Sequence, residues 1–167
     1  VGTYAPTAGL SSCLLCAVGK YRPASSLSSN HDNANDCLVC EGGKYSSFDG
    51  SGSCSLCSAG RFLPSSSNVH YHDSGTDCQM CEKGYYSGLA SSGCSKCSAG
   101  KVIEDSGSND VMHANSNACK ACGAGTYSSA GNDECVKCNK GKYLPASSTA
   151  SDHGGESKCK NCPSGKY

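Results

Sequence analysis

The sixteen cysteines of this 167-residue chain fall into eight Cys-x-x-Cys pairs, and no other feature constrains its folding as strongly. The pairs are Cys13/Cys16, Cys37/Cys40, Cys54/Cys57, Cys78/Cys81, Cys94/Cys97, Cys119/Cys122, Cys135/Cys138 and Cys159/Cys162. Long and short spacers alternate between them, so the repeat is two pairs in about 41 residues. The units run 2–42, 43–83, 84–124 and 125–164, and residues 165–167 open a next one. The chain begins and ends at nearly the same phase, as expected of an excerpt from a longer repetitive polypeptide or of one period of an assembly. No secretory leader is recognisable in it.

Leu, Ile, Val and Phe together number 19. That is well below the roughly 20% of residues needed for folding on an aliphatic core, which excludes an ordinary globular enzyme. Cross-links must stabilise the fold instead. Fourteen Lys and Arg balance fourteen Asp and Glu, which argues against nucleic acid or an anionic membrane as partner. No apolar run approaches the roughly 20 residues of a membrane span.

Other positions recur with the cysteines. Three residues after each pair stands a glycine: Gly19, Gly43, Gly60, Gly84, Gly100, Gly125, Gly141 and Gly165. Two residues later stands Tyr21, Tyr45, Phe62, Tyr86, Val102, Tyr127, Tyr143 or Tyr167. A glycine there predicts a positive φ or a backbone pressed against a cross-link. The aromatic ring supplies apolar area against the cystine sulfurs. Short Ser/Gly-rich loops such as 46–50 and 128–133 predict hairpin returns, and long polar loops alternate with them. No segment keeps a helical period. The expected fold is a small disulfide-rich tandem repeat: an elongated rod of short β-strands, hairpins and irregular loops, with little or no helix.

The pairs fit two chemistries. Two Cys-x-x-Cys pairs 16 to 25 residues apart also make a zinc ribbon, and four such sites would use all sixteen thiolates. A neutral, Ser/Gly-rich tandem array fits an oxidised extracellular framework better. Crossed bonding between neighbouring pairs is the expected form, Cys13–Cys37 with Cys16–Cys40 and so on down the chain. Pairing across the short loops is the alternative if the chain continues beyond both ends.

The half-repeat Cys-x-x-Cys-x-x-Gly-x-Tyr-Ser resembles the ephrin-receptor-like cysteine-rich repeat. More distantly it resembles modules of the tumour necrosis factor receptor family, and it is similar to Cys-x-x-Cys arrays in surface and appendage proteins of unicellular eukaryotes. Residues Cys40 to Cys54, Cys122 to Cys135 and Cys162-Pro163-Ser164-Gly165-Lys166-Tyr167 carry the likeness. The resemblance implies an elongated, disulfide-laddered extracellular rod. The strict long/short alternation departs from the family pattern and favours a fibre-like use.

His31, His72, His113 and His153 each lie six residues before the first cysteine of a pair. They are the candidate metal or pH-sensitive positions, with a loop hydrogen bond as the plainer reading. They are too widely spaced along a rod to share one ion. The acidic loops 32–36 and 105–110 lack the order of a calcium-binding EF-hand loop, so no cofactor is expected. No Ser-His-Asp spacing, phosphate loop or His-Glu-x-x-His appears, so no enzyme is expected. No Asn-x-Ser/Thr sequon exists, but Pro-Ser clusters open three long loops. Candidate O-glycosylation sites there are Pro23, Ser25, Ser26, Pro64, Ser65, Ser66, Ser67, Pro145, Ser147, Ser148 and Thr149, the prolines as hydroxyproline. The expected role is a structural extracellular protein that joins copies of itself, head to tail or laterally, into a fibril, appendage or coat. A receptor or adhesin stalk is the alternative. Its ligand site would be the divergent third unit, from Val102 to His113.

Overall fold

The computed structural model describes residues 1–105 and 109–164; Gly165 and Tyr167 lie outside these. Among the described residues the only regular structure is eight two-residue antiparallel pairs and eight short 3-10 turns. The strands are β1 (Thr3–Tyr4), β2 (Leu14–Leu15), β3 (Lys20–Tyr21), β4 (Leu38–Val39), β5 (Lys44–Tyr45), β6 (Ser55–Leu56), β7 (Arg61–Phe62) and β8 (Gln79–Met80). They continue as β9 (Tyr85–Tyr86), β10 (Ser95–Lys96), β11 (Lys101–Val102), β12 (Lys120–Ala121), β13 (Thr126–Tyr127), β14 (Val136–Lys137), β15 (Lys142–Tyr143) and β16 (Lys160–Asn161). Each odd strand pairs with the even strand that follows it. In every hairpin the first strand ends on the recurring aromatic or its replacement, and the return strand is the two residues inside a Cys-x-x-Cys. In β5–β6, for example, Tyr45 faces Ser55 and Lys44 faces Leu56.

Seven disulfides close seven of these hairpins: Cys16–Cys37, Cys40–Cys54, Cys57–Cys78, Cys81–Cys94, Cys97–Cys119, Cys122–Cys135 and Cys138–Cys159. Each joins the second cysteine of one pair to the first of the next, with Cα separations of 5.6 to 6.0 Å, within the usual range. The crossed pattern expected from the spacing is therefore wrong: Cys13 does not bond Cys37, nor Cys16 Cys40. The reason lies in the return strand. Two cysteines flanking two extended residues are three positions apart, and an odd separation sends their side chains to opposite faces. One sulfur faces its own hairpin and the other faces the hairpin to come. Cys13 and Cys162 are exposed free thiols. With fourteen thiolates in sulfur–sulfur bonds, four tetrathiolate zinc sites have no ligand set.

Cystines form most of the core. Ten of the fourteen buried apolar residues are cysteines, and the others are Leu63, Val102, Ile103 and Leu144. The accessible surface is 9643 Å², against about 7,700 Å² for a compact protein of this mass. The molecule is extended because its hairpins form two parallel columns. Short hairpins stack on short ones and long hairpins on long ones, with backbone hydrogen bonds tying the columns together.

The recurring glycine makes the stacking possible. Gly43, in a short hairpin, has φ +76°, and a Cβ there would overlap the carbonyl of Ala90 in the next short hairpin. Gly100, in a long hairpin, has φ +81°, and its Cβ would overlap the carbonyl of Ala150 in the next long one. Both a left-handed backbone and a close backbone approach exclude a side chain at this position. Between columns, Gly19 N–H donates to Ser46 O (2.8 Å), Gly43 N–H to Leu63 O (2.8 Å) and Gly60 N–H to Ser87 O (2.9 Å). These bonds run across the 41-residue boundary as well as within it, so the stack is continuous from unit to unit.

Candidate assembly surface and loop sites

The recurring positions of the repeat divide into an inner set that holds the ladder and an outer set that faces solvent. The inner set begins with the aromatic after each glycine. Tyr45 packs on the cluster of Cys57, Leu63 and Cys78, so the ring of a short hairpin covers the cystine of the following long one. Tyr86 does the same on Cys97, Ile103 and Cys119. Tyr21, Phe62 and Tyr127 are half-buried, and Tyr143 is exposed.

The histidines belong to the inner set too. His72, His113 and His153 are fully buried. Each Nδ1 lies against a backbone carbonyl of the preceding short hairpin: Lys44 O at 2.9 Å, Tyr85 O at 2.7 Å and Thr126 O at 2.8 Å. A carbonyl can only accept, so Nδ1 carries the proton and donates. The histidine carbonyls in turn accept from Ser46, Ser87 and Ser128 N–H. Among the described residues Nε2 of all three has no hydrogen-bond partner, though in His113 it stands 3.5 Å from Asp105 Oδ2. His31 is half-buried, with Nδ1 3.1 Å from Thr3 O. Each imidazole thus ties a long loop to its neighbouring short hairpin, and no two of them meet.

Ser46, Ser87 and Ser128 are buried partners that sequence reasoning missed. Ser87 Oγ donates to Arg61 O (2.8 Å) and Ser128 Oγ to Lys101 O (3.2 Å), while each backbone joins both columns. The signal was the serine that closes the Gly-x-Tyr-Ser motif of three short hairpins, whose burial residue type alone does not reveal. The acidic loops are occupied internally. Asp36 and Asp77 carboxylates accept from Asn33 and Ser74 N–H in capping boxes, and Asp110 takes Ser58 Oγ–H and Arg61 Nε–H. Among the described residues no group of three or more His, Cys, Asp or Glu could hold a metal ion. No helix among them is long and apolar enough to cross a membrane.

The outer set comprises the loops and a row of apolar side chains. Eleven of the nineteen Leu, Ile, Val and Phe residues are exposed. Phe48 and Leu89 stand at the tips of successive short loops, 77% and 62% exposed, and Leu15 and Leu56 lie on the return strands of successive short hairpins. All four follow the 41-residue period. In the long loops, Ser25, Ser66 and Ser147 are half-buried, whereas Pro23, Ser26, Pro64, Ser65, Ser67, Pro145, Ser148 and Thr149 are exposed. A groove of about 700 Å³ opens under the long loop of the third unit, lined by Ile103, Glu104, Asp105 and Met112 among others.

Residues 125–167 match the family model described as tyrosine-protein kinase ephrin type A/B receptor-like. The first three units share the Cys-x-x-Cys periodicity and second-to-first bonding of that segment, so the tandem pattern is similar to ephrin-receptor-like cysteine-rich repeats. Repeats of this kind are a non-catalytic, extracellular type of module, and dense disulfides fit the same compartment. No curated protein matches the chain.

Proposed function

From a ladder of ephrin-receptor-like cysteine-rich repeats, we propose an extracellular structural protein that associates with copies of itself into a fibril or surface coat and carries O-linked sugars on its long loops. One observation supports association above the others. The chain has few aliphatic and Phe residues, and it keeps most of them on the outside. Scattered exposed leucines are ordinary, but apolar residues repeated in register along an extended surface mark a contact face. Phe48 and Leu89 are spaced by the period of the ladder itself, so two aligned rods gain a contact in each of the second and third units.

The test is sedimentation velocity and electron microscopy of the purified chain across a range of concentrations, beside the double variant Phe48→Ser/Leu89→Ser. Concentration-dependent assembly, with the midpoint raised at least tenfold in the variant, supports the reading. A chain that stays monomeric throughout refutes it.

The groove of the third unit favours a second reading, a binding module on a stalk. Glu104 and Asp105 replace the Pro-Ser opening of the other long loops and give this groove an acidic lip. Exchanging the third unit's long loop for that of the second would abolish partner capture if this groove is the binding site, and would leave it intact if it is not.

A further inference from the structure

Three long loops open with the same four-residue pattern, Pro-x-Ser-Ser: Pro23 to Ser26, Pro64 to Ser67 and Pro145 to Ser148. The two serines of each pattern have opposite fates. The first folds its hydroxyl into the loop. Ser25 Oγ accepts from Leu27 N–H (3.2 Å) and from Asn30 Nδ2 (2.9 Å). Ser66 Oγ accepts from Asn68 N–H (3.1 Å). Ser147 Oγ accepts from Thr149 N–H (3.0 Å) and donates to Asp152 Oδ2 (2.6 Å). These are local Ser turns, and they hold the start of each loop in one conformation. The second serine, at 26, 67 and 148, then sits at a bend, is exposed, and spends its hydroxyl on no hydrogen bond among the described residues.

We propose that Ser26, Ser67 and Ser148 are the O-glycosylation sites of the protein, one in each of the first, second and fourth units, and that Ser25, Ser66 and Ser147 present them. The inference deepens the glycoprotein part of the function proposed above and rests on it. Three acceptors that share the Pro-x-Ser-Ser pattern and a bend at the second serine offer a single transferase the same local shape. The exposed bend leaves room for a hexose-sized group, whereas a sugar on the capping serine would displace one or two loop hydrogen bonds. The donor is a nucleotide-activated sugar. The serine Oγ forms a bond to the anomeric carbon, the bond from that carbon to the nucleotide phosphate breaks, and the hydroxyl proton passes to the transferase base. The third unit has Glu104-Asp105-Ser106-Gly107 in place of the pattern, so it lacks an acceptor of this kind.

The test is glycopeptide mapping of the protein isolated from its native source, with fragmentation that keeps the sugar on its residue. Sugar on Ser26, Ser67 and Ser148, with Ser25, Ser66, Ser147 and the third long loop bare, is the expected result. The triple variant Ser26→Ala/Ser67→Ala/Ser148→Ala, expressed in the same host, should lose all three increments and keep all seven disulfides. Sugar on the capping serines, or equally on the third unit, overturns the site assignment alone. A chain with no sugar anywhere overturns the assignment and the glycoprotein reading together. Neither result bears on self-association, which sedimentation reads separately.

Discussion

Replacing Gly43 by Ala tests the stacking of the ladder, because a matched control exists in the same chain. Gly43 and Gly125 occupy the same place in the repeat, two units apart, with φ of +76° and +74°. An alanine at either must adopt the left-handed region, at a cost of about 1–2 kcal/mol. Only Gly43 also meets a neighbour. Its Cβ would overlap the carbonyl of Ala90, whereas among the described residues of the 167-residue chain nothing lies within 4 Å of the position at Gly125. Forcing a methyl into a packed contact adds about 1–3 kcal/mol, so Gly43→Ala should cost about 2–5 kcal/mol. The carbonyl cannot swing aside cheaply, since its own loop is tied down by Ala90 N–H donating to Cys57 O (3.0 Å). Native-state hydrogen exchange with the disulfides intact gives local opening free energies for each hairpin. Gly43→Ala should lower protection in its own hairpin and in the one carrying Ala90, while Gly125→Ala should lower it only locally and by less. Equal and purely local effects of the two substitutions would refute the stacked columns.

Two further substitutions address the ties and the clamps. His72→Ala removes the Nδ1–H bond to Lys44 O and leaves a cavity at a fully buried site, so it should cost about 2–4 kcal/mol in opening of the hairpin that contains Lys44. The double variant Cys81→Ser/Cys94→Ser removes one clamp across a sequence separation of 13, at a cost of about 3 kcal/mol. Limited proteolysis should then cut within 87–93 while leaving the short loop at 46–50 intact.

The hairpins themselves could be read from the sequence, because their determinants are local. A glycine, an aromatic and a turn-rich loop ahead of a Cys-x-x-Cys specify where the chain extends and where it reverses. The bonding pattern could not be read from spacing, since a periodic array of pairs satisfies crossed and sequential linkage equally well. Only the extended geometry of strands such as β4, between Cys37 and Cys40, separates the two sulfurs onto opposite faces. The column stacking was hidden for a different reason. Its contacts join Gly43 to Ala90 and Gly100 to Ala150 through backbone carbonyls, which leave no mark on residue type at the receiving position. The histidines recur visibly, but their burial depends on the fold of polar loops around them. The same holds for the serines at 25 and 26, identical in sequence and opposite in use.

Disulfide mapping tests the account most directly. Digesting the non-reduced protein after alkylation at acidic pH, and identifying the linked peptides, distinguishes second-to-first from crossed bonding. The ladder predicts seven links, including Cys40–Cys54 and Cys57–Cys78, and two alkylated thiols, Cys13 and Cys162, in the 167-residue chain. Links between Cys37 and Cys54 together with Cys40 and Cys57, or sixteen thiols open to alkylation before reduction, would contradict it.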